Sequence, residues 1–127
     1  HVRYLQAAKR LGTHLIIGVN TDRSVMALKV PSRPLNSEMD RAEVLAALAC
    51  TDFVTLFDQD TADTLISTLQ PDLYIKAGDY TGEPRPKRNP LIQLGIEVAF
   101  FPFIQGLPPT GLFQGMKNYP ATFCILF

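Results

Sequence analysis

An α/β fold, a doubly wound parallel sheet, follows from three features of the sequence. A continuous apolar run from Leu15 to Val19 breaks off into Asn20, Thr21 and Asp22. It is too unbroken for a half-exposed strand and too short for a helix, so it reads as a strand buried on both faces. Further short apolar runs, Phe53 to Phe57, Leu73 to Lys76 and Ile96 to Phe101, recur along the chain. Helical segments of about ten residues separate them, and that alternation marks βαβ units with right-handed crossovers.

Taken in order, Val2, Leu5, Ala8 and Leu11 share one face of an amphipathic helix, with Arg3, Lys9 and Arg10 elsewhere and Gly12 as its stop. The strand from Leu15 leads into a helix from Asp22 to Lys29, capped by Asp22 and ended by Pro31. A loop with Pro31 and Pro34 runs from Val30 to Asn36. Ser37 with Asp40 three residues on is similar to a capping box. It opens a helix from Glu38 to Ala49, whose buried side should carry Met39, Ala42, Leu45, Ala46, Leu48 and Ala49. The strand at Phe53 is followed by a helix starting at Asp60 or Thr61, running to about Leu69 and closed by Pro71. After the strand at Leu73, the stretch EPRPKRNP before Pro90 is a proline-rich basic loop. The end of the chain, residues 111–127, is apolar and carries no element signal.

A chain of 127 residues with 46% apolar and 19% charged content reads as one soluble domain with one moderate core. Twelve basic and twelve acidic residues cancel, so no global field favours nucleic acid or an anionic membrane. Cys50 and Cys124 have no CxxC spacing and no histidine pair nearby, which argues against a metal site or a disulfide framework and fits a cytoplasmic protein. No run reaches the roughly 18 apolar residues of a membrane span.

Polar groups follow several strands: Asn20 to Asp22, then Gly78 and Asp79, then Gly106 to Thr110. In a parallel sheet these strand ends share one edge, where ligands bind. Asp79 is suited to accept from ribose hydroxyls, while Gly78 admits close backbone approach. Lys29 and Arg41 are natural partners for phosphate oxygens, although solvated cations are the commoner use of such residues.

The wording of HVRYLQAAKRLG, LIIGVNTDRSVMALK, RPLNSEMDRAEVLAALACTDFVTLFDQDT and PDLYIKAGDY resembles the cytidylyltransferase-like nucleotidyltransferases. Within them it is most similar to the adenylyltransferase domain that makes ADP-heptose, a precursor of the lipopolysaccharide core. The resemblance is tight over residues 1–80 and looser over 95–106. It implies a Rossmann-like sheet of the HxGH type, in which His1 matches the second histidine of the motif, at the N-terminus of the first helix. Lys29, Arg41 and His1 then match the catalytic positions. His1, Asp22, Gly78, Asp79, Gly106 and Thr110 match the nucleotide-binding positions, and no protein metal ligand is implied.

The implied substrates are ATP, with Mg²⁺ shielding its triphosphate, and a sugar 1-phosphate such as heptose 1-phosphate. The family often forms dimers and is often fused to a sugar kinase, so a homodimer and a fused or separate kinase are the implied partners. Two departures stand against the pattern. The family's first strand and the first histidine of HxGH should precede His1, so the expectation is an N-terminally truncated domain lacking that strand. The family's Ser-Thr-Thr run after a glycine is replaced by Leu107, Pro108, Pro109 and Thr110 after Gly106. Proline offers neither an N–H nor a hydroxyl. The alternatives are a non-catalytic nucleotide-binding or structural remnant of the fold, or a cytidylyltransferase acting on another phosphorylated substrate.

Overall fold

In a computed structural model of the chain, the described residues are 1–28, 34–59, 61–77, 94–101 and 122–126. They form α1 (Val2–Lys9), β1 (His14–Asn20), α2 (Asp22–Leu28), α3 (Glu38–Ala46), β2 (Phe53–Phe57), α4 (Asp63–Leu69), β3 (Leu73–Ala77), β4 (Glu97–Phe101) and β5 (Thr122–Leu126). All the strand pairings are parallel, in the order β2-β1-β5-β3-β4. Ile17 of β1 lies between Val54 of β2 and Ile125 of β5, and Ile75 of β3 lies between Ala99 of β4 and Ile125. The central place thus belongs to β5, drawn from the stretch in which the sequence carries no element signal.

Side-chain alternation along the strands distributes the core over both faces of the sheet. Leu15, Ile17, Val19, Leu73 and Ile75 pack with Leu5, Ala8 and Leu11 of the first helix and its turn. Tyr74, on the other face of β3, packs with Ile66 of α4 and with Ile96. Helices on both sides make the sheet doubly wound, as the apolar runs predict. Each fully buried Leu or Ile contributes about 1.5–3 kcal/mol relative to exposure.

Several boundaries and faces differ from expectation. α1 stops at Lys9, and Val2 stays exposed while Ala7 is buried. α2 is capped by Thr21 rather than Asp22: the Ser24 N–H donates to Thr21 Oγ1 at 3.3 Å, which places Asp22 inside the first turn. α3 ends at Ala46 and has no buried residue. Leu45 and Leu48 pack against the core, but Met39 is 64% exposed and Ala46 and Ala49 are exposed. The helix lies beside β2 at the end of the sheet, where only a narrow stripe meets other chain. α4 begins at Asp63, not at residue 60 or 61, with no side-chain cap from Ala62. The loop predicted over residues 30–36 and the basic proline-rich stretch fall wholly or mainly outside the described residues. Among the described residues, no helix is long and apolar enough to cross a membrane.

Candidate functional site

Parallel strands bring all their carboxyl ends to one rim. The chain winds from β1 outward to β2 on one side and from β3 outward to β4 on the other, with β5 between the two halves. The crevice at such a switch of direction is where open α/β sheets bind ligands. α1 packs on β1 and joins it through residues 10–13, so it runs back against the strand and brings His1 to the rim end. His1 is the N-cap of α1; its carbonyl accepts from the Leu5 N–H at 3.0 Å, and its side chain makes no cap hydrogen bond.

Arg41 reaches this rim from the first turn of α3. Its Nη2 donates to the Asn20 carbonyl at 2.9 Å and to Asp22 Oδ1 at 2.7 Å, and its Nε donates to the Asn36 carbonyl at 3.3 Å. Asp22 is held in turn, because its backbone N–H donates to Glu38 Oε2 at 2.6 Å. Local sequence explains why α3 starts where it does: the Ser37 hydroxyl accepts from the Asp40 N–H at 3.1 Å, as the capping pattern predicts. That start places Glu38 and Arg41 three residues apart on one helix face, toward the end of β1.

A second network fastens the turn after β1 to the end of β2. Arg23 holds the Asp58 carboxylate through Nε at 2.9 and 2.8 Å and through Nη2 at 2.5 Å, and Thr21 Oγ1 donates to the same carboxylate. The Ser24 hydroxyl, buried, donates to the Gln59 carbonyl at 3.1 Å and accepts from Asn20 Nδ2 at 3.0 Å. The Arg23 and Thr21 hydrogen bonds hold the Asp58 carboxyl below its ordinary range, so it serves as a fixed acceptor rather than as a base near neutrality. At the opposite end of the sheet, Lys9 Nζ joins the Thr13 carbonyl and Asp52, both at 2.5 Å, and Asp52 also accepts from the Leu15 N–H at 2.6 Å.

Of the residues singled out from sequence, Arg41 and Asp22 meet directly, and His1 stands at the rim end of α1. Lys29, Gly78, Asp79, Gly106 and Thr110 lie outside the described residues. Glu38, Arg23 and Asp58 are further rim residues that sequence reasoning passed over. Asp58 carried a usable signal, as the first residue after the strand Phe53–Phe57. Glu38 carried none, since its role depends on where α3 sits against β1. Among the described residues no three His, Cys, Asp or Glu gather as a metal site. Asp22 and Asp58 are each engaged by an arginine, so the described rim does not suit a protein-held cation.

The family model described as cytidylyltransferase-like matches residues 1–107. Curated relatives include the bifunctional protein HldE of Syntrophotalea carbinolica, 46% identical over 90% of this chain and 23% of its own length. The same-named proteins of Magnetococcus marinus and Campylobacter fetus are 47% and 44% identical, over 90% and 93% of this chain and 23% and 25% of theirs. The chain thus spans about a quarter of the length of the relatives it matches.

Proposed function

Because this chain belongs to the cytidylyltransferase-like family, we propose that it passes AMP from ATP to a sugar 1-phosphate, heptose 1-phosphate first, giving an ADP-sugar and pyrophosphate. The observation that carries this reading is the Arg41 guanidinium, fixed at the carboxyl end of β1 by the Asn20 carbonyl and Asp22. Planar guanidinium donors are matched to phosphate oxygens.

In the proposed reaction an oxygen of the sugar phosphate attacks the α-phosphorus of ATP in line. The bond from that phosphorus to the bridging oxygen breaks, and pyrophosphate carries the electron pair away. The nucleophile is already an anion, so no strong general base is required. Catalysis then consists of alignment and neutralisation of charge on the transferring and leaving phosphates. His1, Lys29 and Arg41 are proposed for that work; Gly78, Asp79, Gly106 and Thr110 are proposed to hold the nucleotide, with Asp22 in the site lining. Mg²⁺ is proposed to arrive with the triphosphate, where it screens negative charge. The greater length of the relatives and their name as bifunctional proteins suit a second activity on the same chain, for which a sugar kinase supplying the phosphate acceptor is proposed.

Incubation of the folded protein with Mg²⁺, ATP and heptose 1-phosphate should release pyrophosphate, and Arg41→Ala should lower kcat/KM by roughly 10²-fold. A parallel incubation with CTP separates the adenylyl from the cytidylyl reading. A folded sample that releases no pyrophosphate with either nucleotide would refute the proposal.

A further inference from the structure

We infer that Asp22 is the positioning residue for Arg41, with Glu38 holding Asp22 in place, so that the unengaged edge of the guanidinium is aimed at the substrate phosphate; this rests on the transferase reading above. Three donor contacts fix one side of the guanidinium: Nε to the Asn36 carbonyl, and Nη2 to the Asn20 carbonyl and Asp22 Oδ1. Among the described residues Nη1 donates to none, which leaves its two N–H groups available to an anion. Arg41 and Asp22 are only 22% and 32% exposed, so the guanidinium has little freedom to swing away from this setting.

Asp22 itself is poorly suited to touch a polyphosphate, because a carboxylate facing phosphate oxygens is repelled. Its carboxylate instead faces a cation, and its backbone N–H is taken by the Glu38 carboxylate at 2.6 Å. Glu38 and Arg41 both belong to α3, whereas Asp22 opens α2. The pair of contacts therefore latches the starts of the two helices together across residues 29–33. Without the latch, Arg41 keeps its charge and loses its aim. Loss of geometry at a reacting centre costs turnover even where binding survives, and a misplacement of about 1 Å can cost roughly 10²-fold.

The test is a steady-state comparison of wild type, Asp22→Asn, Arg41→Ala and the double variant, read as pyrophosphate release with Mg²⁺, ATP and heptose 1-phosphate. Asp22→Asn preserves shape and removes the counter-charge. It should lower kcat by roughly tenfold or more without raising either substrate's KM, because the freed guanidinium attracts phosphate at least as well. In the Arg41→Ala background the same substitution should cause no further loss. Glu38→Gln, which weakens the hold on the Asp22 N–H and disturbs the fold less, should show the same split at smaller size. An Asp22→Asn effect that persists undiminished without Arg41, or that appears only in KM, would overturn the assignment and leave the transferase reading standing. A folded wild-type protein that releases no pyrophosphate would overturn both.

Discussion

Asp52 shows how one carboxylate ties three segments together. Desolvation pushes its carboxyl up, but the Lys9 hydrogen bond, the Leu15 amide and the positive charge of Lys9 and His14 outweigh that and hold it below the ordinary 3.8. A carboxyl lowered in the folded state stabilises fully above its unfolded pKa, and that stabilisation is lost as the pH falls through the folded value. Stability should therefore drop below about pH 4, and Asp52→Asn should flatten that acid limb at a cost near neutrality of up to about 1 kcal/mol, given the partial exposure of the pair. Denaturation midpoints measured from pH 7 to pH 3 check this; a variant with an unchanged acid limb would contradict it. Asp58 is shifted in the same direction and leaves a residual slope. Backbone conformation makes a second residue-scale prediction. Gln70 ends α4 at φ 45°, the left-handed region, where glycine is normally found. Gln70→Gly should therefore be neutral to stabilising by up to about 1 kcal/mol. Gly95→Ala, at φ 73° in open space, should destabilise by about 1 kcal/mol from conformation alone. Thermal melts should show a lowered midpoint for Gly95→Ala and an unchanged or raised one for Gln70→Gly.

At the scale of elements, local capping chemistry was the most readable part of the sequence. Ser37 stands three residues before Asp40, and its hydroxyl accepts from the Asp40 N–H as the pattern requires. Ser37→Ala should cost about 1 kcal/mol and also loosen Arg41, since the cap sets where α3 begins. The check is a chemical denaturation curve set beside the pyrophosphate rate; an unaltered midpoint would mean that the cap adds nothing. What helical periodicity could not reveal is how much of an apolar stripe finds cover. Leu45 and Leu48 meet the core, whereas Met39, Ala46 and Ala49 of the same predicted stripe stay exposed. The stripe on α1, by contrast, is covered at Leu5, Ala8 and Leu11, because that helix lies against β1, which has a neighbour on each side. Cap residues act within one turn and are visible in the local sequence; cover depends on a neighbour distant in the chain.

At the scale of the whole molecule, β5 joins the two halves of the sheet. β1 pairs with β2 and β5, and β3 pairs with β4 and β5, so among the described residues the strand pairing between the halves runs through β5 alone. Cys124 stands opposite Ile16 on one side and Tyr74 on the other. Proline there removes a ladder hydrogen bond inside a central strand, so Cys124→Pro should cost about 3 kcal/mol or more and reduce or abolish the cooperative unfolding transition seen by circular dichroism. A variant that unfolds like the parent would remove β5 from the sheet. By itself the sequence determined the alternating α/β order, the strands starting near Leu15, Phe53, Leu73 and Ile96, the cap at Ser37 and the family wording around Arg41 and Asp22, because each is written in short-range spacing and residue chemistry. Only the tertiary structure decided that residues 122–126 fill the centre of the sheet, that α3 leaves much of its apolar stripe uncovered, and that Arg41 is gripped by Asp22 under Glu38. Those outcomes depend on which distant segments come to lie side by side, and pairing between distant segments leaves no periodic trace in either one.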